Sequence, residues 1–148
     1  MYLLDADTLI TAKNTYYQFN RVRQFWEWLA YQAEIGEVRM PIETWVKVGD
    51  KTQEQRDDLA LWVIEHKENL VINDRSYDEM FPQVLAKYQW PDGRPLTESD
   101  IVTIGDDYQL IACAIHNNAM VITGEVSAGS IGPKRKVPNV CEDLVDGV

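Results

Sequence analysis

Short apolar runs recur along this chain, each separated from the next by a longer stretch with helical spacing. Residues 1–9, Leu70-Val71-Ile72 and Ala119-Met120-Val121-Ile122-Thr123 read as strands. Val38-Arg39-Met40-Pro41 forms a short segment, and Lys136-Val137-Pro138-Asn139-Val140 a last short strand. Between them, Val22, Phe25, Trp26 and Leu29 recur at helical spacing, and Gly36 supplies a stop. A helix is expected from about Ile42 to Val48, ended by Gly49. Another follows Thr52-Gln53-Glu54-Gln55, a capping-box-like pattern, and runs to about His66. Residues 75–88 read as a helix kinked or divided by Pro82, and Trp90 to Pro95 as a loop. Thr97 is expected to cap one long helix through His116, with Asn117-Asn118 at its end, while the segment after the first strand through Asn20 reads as a polar loop. Strands alternating with helices predict a single three-layer α/β/α domain over residues 1–148 with a mainly parallel central sheet.

In such sheets ligands gather beyond the carboxyl ends of the strands. Asp5 and Glu125 both stand just past a predicted strand. Asp107 lies three and four residues before Leu110 and Ile111, in line with the apolar stripe they form with Ala114 and Ile115. An acid in that position needs a partner, and no base lies within one turn of it. Asp100 falls two turns earlier on the same side, where it either supports the acids or favours the helix N-terminus. Asp7 and Thr8 suit a turn after the strand, and Thr8 and Thr123 could hydrogen-bond the acids. Asp5, Asp107 and Glu125 together make an oxygen-only donor set, which suits Mg²⁺ or Mn²⁺. The sequence has no phosphate-binding Gly-rich loop, paired-histidine zinc motif or nucleophile elbow.

Composition bears on partners. Net charge is −10, which disfavours non-specific binding to a polyanion, although carboxylates holding a divalent ion invert the local field. Any phosphate contacts then rest on metal or on a few bases, such as Lys134, Arg135 and Lys136; a solvated basic turn is the plainer account of those three. No apolar run approaches a membrane span and no basic segment precedes a long apolar stretch, so a cytoplasmic protein without membrane contact is expected. Cys113 and Cys141 lack metal-ligand spacing and read as ordinary thiols; His66 and His116 read as surface residues.

The opening MYLLDADTLITAKNTYY resembles the first strand of PIN-domain proteins, an apolar run ending in Asp. GDDYQLIACAIHNNAMVITGEVSAG resembles their Asp-led helix, the strand after it and a Thr-x-Asp/Glu turn. AKNTYYQFNRVRQFWEWL, VITGEVS and KVPNVC are similar to a bacterial branch found at type II toxin–antitoxin loci. The resemblance implies a ribonuclease that uses Mg²⁺ or Mn²⁺ and four acids, together with an RNA substrate and a cognate antitoxin. Three of the acids match Asp5, Asp107 and Glu125, and Thr123 matches the hydroxyl residue before the last. At the fourth place stands Lys47; Glu43, one turn earlier, could reach in, or Lys47 could weaken metal binding. A catalytically weakened or inactive PIN-fold binding module is therefore the alternative, and a metal-dependent phosphatase or DNA nuclease a further one. Many such toxins dimerise, and Phe25-Trp26-Glu27-Trp28 offers an interface for a homodimer.

Overall fold

A computed structural model describes residues 1–146 of the chain. Strand β1 (Tyr2–Leu4) leads into helix α1 (Ala6–Thr11), which continues as a π-helical turn, Ala12–Tyr16. Next come α2 (Arg23–Glu34), β2 (Val38–Arg39), α3 (Ile42–Gly49), α4 (Asp58–Glu65) and α5 (Lys67–Leu70). Then follow α6 (Phe81–Leu85), α7 (Glu98–Ile104), α8 (Asp107–Asn117), β3 (Met120–Ile122) and α9 (Val137–Asp146). The sheet is parallel throughout, in the order β2-β1-β3, with Leu3 opposite both Arg39 and Val121.

The central strand explains the layering. Successive side chains of a strand point to opposite faces, so Leu3 and Leu4 enter different cores. Leu4 packs with Leu9, Trp26, Leu29, Val48, Leu59 and Val63 under α1 to α4. Leu3 packs with Tyr77, Tyr88, Leu110, Ile111, Val137 and Val140 on the other face. Helices thus cover both faces of one sheet, which is the expected three-layer α/β/α architecture.

Several boundaries differ from the sequence reading, each for a local reason. The first strand stops at Leu4 rather than residue 9, because Asp5 caps a helix by accepting the Asp7 N–H. Ala6, Leu9 and Ala12 then follow at helical spacing, all buried, and the expected polar loop is partly π-helical. Helix α4 is capped by Asp57, which accepts from the Ala60 N–H and meets Lys13 at 2.6 Å; Thr52 heads only a 3-10 turn, Gln53–Gln55. Leu70-Val71-Ile72 is no strand, for Leu70 ends α5 and Val71 makes only an isolated bridge to Met40. The region around Pro82 is divided as expected, with Pro82 in the first turn of α6 between two 3-10 turns.

Two corrections matter for the site. The long helix from Thr97 is broken by Gly105, whose φ of 66° and ψ of −143° lie where only glycine is comfortable. Asp107 therefore opens a helix of its own instead of continuing the one that carries Asp100. The expected strand at 136–140 is instead the start of α9, where buried Val137, Val140 and Leu144 recur at helical spacing.

Candidate active site

The C-terminal ends of β1 and β3 lie side by side, and three predicted residues meet there. Asp5 follows β1, is 7 % exposed, and accepts the Asp7 N–H at 3.3 Å and the Thr123 hydroxyl at 3.0 Å. Thr123 follows β3, and its hydroxyl also accepts the Glu125 N–H at 3.1 Å. One hydroxyl thus joins the carboxylate of the first strand to the turn after the third. Glu125 is fixed at its far end, where Oε2 accepts the Val137 N–H at 2.8 Å in the first turn of α9. The Thr8 hydroxyl donates to the Ile122 carbonyl at 3.4 Å rather than to an acid.

Asp107 approaches from α8. Burial pushes its carboxyl up to about 7, reinforced by repulsion from Glu125, then Asp5 and Asp106, against the opposing charge of Lys47. Asp5 is raised as well, chiefly by burial, while the Asp7 N–H and the Thr123 hydroxyl hold it down. Asp5, Asp107 and Glu125 consequently share one electrostatic neighbourhood.

Lys47 enters the same neighbourhood from α3. Its Nζ is 3.7 Å from Asp106 Oδ1 and 3.9 Å from Asp7 Oδ1. Burial disfavours its charge, but Asp106, Asp7, Asp5 and Asp107 together outweigh that and raise its pKa. Glu43 is committed elsewhere: Oε1 lies 2.8 Å from the Arg75 guanidinium and Oε2 accepts the Tyr77 hydroxyl at 2.9 Å. The charges that act most strongly on Asp5, Asp107 and Lys47 are other groups.

The remaining predicted residues take other roles. Asp100 completes a capping box with Thr97 and accepts the Trp90 indole N–H at 3.1 Å, so it serves the helix N-terminus and not the acids. The Arg135 guanidinium bonds the Lys87 carbonyl at 2.8 Å and Asp143 at 2.6 Å, which engages it within the fold. Lys134 is exposed and Lys136 half-buried. Sequence reasoning missed Tyr88, a fully buried residue whose hydroxyl has no hydrogen-bond partner among the described residues. After burial itself, the charge of Asp107 does most to raise its pKa, with Cys141 and Glu125 adding to it. Nothing in Lys87-Tyr88-Gln89 marks that tyrosine in advance.

Among the described residues, no three His, Cys, Asp or Glu side chains close around a common point as a metal ion would require. The donor chemistry nevertheless suits a hard divalent cation. It is all oxygen, and burial together with repulsion from Glu125, Asp5 and Asp106 makes the ionisation of Asp107 unfavourable, a strain that a cation would relieve.

Fold and site together define a parallel α/β domain with an acid cluster at the carboxyl edge of its sheet. Residues 2–145 match the family described as a domain of unknown function (DUF4411), and the chain belongs to that family. No curated protein and no solved structure matches it.

Proposed function

We propose that this protein is a metal-dependent endoribonuclease of PIN-like type, acting on single-stranded or structured RNA as the toxin of a type II toxin–antitoxin pair. The observation that carries this reading is the convergence of Asp5, Asp107 and Glu125: burial first, then repulsion from Glu125 and Asp5, raises the Asp107 carboxyl to about 7. Asp5, Asp107 and Glu125 would hold Mg²⁺ or Mn²⁺, which when bound supplies a water of lowered pKa and offsets charge on the phosphate. Thr123 orients Asp5 through its hydroxyl, and the first turn of α9 steadies Glu125. Lys134, exposed on the turn before α9, and Lys136 are free to meet the RNA backbone. The acidity of the chain suits a basic antitoxin, and Trp28 and Tyr31, exposed on α2, suit a homodimer or that partner.

Cleavage of single-stranded RNA in Mn²⁺ tests the proposal: the wild type cuts, and Asp5→Asn loses at least about a hundredfold in rate. Equal rates, or an inert wild type with every divalent metal tried, would refute it. Lys47 standing where an acid is expected favours a second reading, a non-catalytic module of the same fold. Calorimetry separates the two, since such a module takes up no Mn²⁺ saturably.

A further inference from the structure

The wrong-sign residue in the acid cluster has its own geometry. Lys47 is on α3, and its ammonium stands within 4 Å of the carboxylates of both Asp7 and Asp106. Neither contact is a tight ion pair. At 3.9 and 3.7 Å, with half of its side chain exposed, Lys47 answers the summed field of several acids more than any one partner. Asp5 and Asp107 add to that field, as the direction of its pKa shift reflects. Glu43, the one other candidate for the role of a fourth ligand, is tied to Arg75 and Tyr77.

Resting on the metal-dependent reading, we propose that Lys47 is a built-in counter-ion that competes with the divalent cation for this carboxylate cluster. In the metal-free protein its ammonium offsets repulsion among Asp5, Asp7, Asp106 and Asp107. When a divalent ion enters, the two positive charges repel, and the long lysine stem must carry its charge outward. Lys47 therefore acts on the metal through charge and is no mere vacancy in the ligand set. The site loads only at raised metal concentration, which makes occupancy, and hence activity, a function of the free ion.

Two substitutions separate a competing cation from a missing ligand. Lys47→Met removes the charge and supplies no donor, whereas Lys47→Glu removes the charge and adds a carboxylate. Mn²⁺ binding is measured by calorimetry on the full chain, with thermal unfolding in chelator as a second readout. The expected result is that Lys47→Met tightens Mn²⁺ binding about tenfold or more, the scale of losing a unit charge a few ångströms away at protein-surface dielectric. In chelator, the same variant melts below the wild type. If Lys47→Met binds no more tightly than the wild type while Lys47→Glu does, Lys47 is only an absent ligand and the inference is overturned, with the metal reading intact. If wild type and both variants bind no Mn²⁺, the metal reading fails and the competition falls with it.

Discussion

Asp107 carries a strong pH signature near neutrality. Its carboxyl is raised from the ordinary 3.8 to about 7, so the folded protein holds this proton more tightly than the unfolded chain does. The associated stability is full below pH 4 and is lost as pH rises through about 7, after which it levels off. In chelator, Asp107→Asn is therefore expected to be neutral near pH 4 and stabilising at pH 8. Allowing for solvent screening, the gain is on the order of 1–3 kcal/mol. Denaturant unfolding at the two pH values checks this, and equal effects at both would contradict it. At this scale the sequence was informative where an acid followed an apolar run, as with Asp5 and Glu125. It was silent where burial alone confers the role. Tyr88 and Arg75 stand at the two ends of the stretch that Pro82 divides, and only the packed molecule brings them near Asp107 and Glu43.

Among the elements, the break between α7 and α8 decides where the helical acid points. Gly105 adopts a backbone conformation closed to residues with a Cβ. Gly105→Ala should cost about 1–3 kcal/mol and turn the head of α8, lowering both the melting temperature and Mn²⁺ affinity. Gly129→Ala, in open space, is the control and should stay within about 0.5 kcal/mol of the wild type. A melting temperature unchanged by Gly105→Ala would mean that α7 and α8 can run on as one helix. That continuous helix was the natural reading of Thr97 to His116, since Gly105 is the one strong helix breaker between them. Likewise Lys136 to Val140 opens a helix, because Val137, Val140 and Leu144 are buried at helical spacing and Glu125 accepts a first-turn N–H. Short segments such as these carry too little pattern to resist a tertiary contact.

For the whole molecule, one thin sheet separates two cores, and β1 contributes to both through adjacent leucines. The halves should accordingly unfold together. Leu3→Ala, on the α8 side, is expected to lower stability by about 2–5 kcal/mol. The fluorescence of Trp26 and Trp62, in the opposite core, should fall in the same transition as the far-UV circular dichroism. Two separated transitions would show the cores to be independent. Among the described residues, no helix is long and apolar enough to cross a membrane.

The apolar runs and helical spacings were enough by themselves to determine the α/β class, the parallel sheet, α2, α3 and the carboxylates at its strand ends, because each follows from local periodicity and chain order. Which acids actually face one another was decided only by the tertiary structure. Asp100 is taken by a capping box, Glu43 by Arg75 and Tyr77, and Lys47 is left among Asp5, Asp7, Asp106 and Asp107. Periodicity can place a charge on a face of its own element. What that charge meets depends on the packing of elements distant in sequence, and on how far burial lets their fields reach.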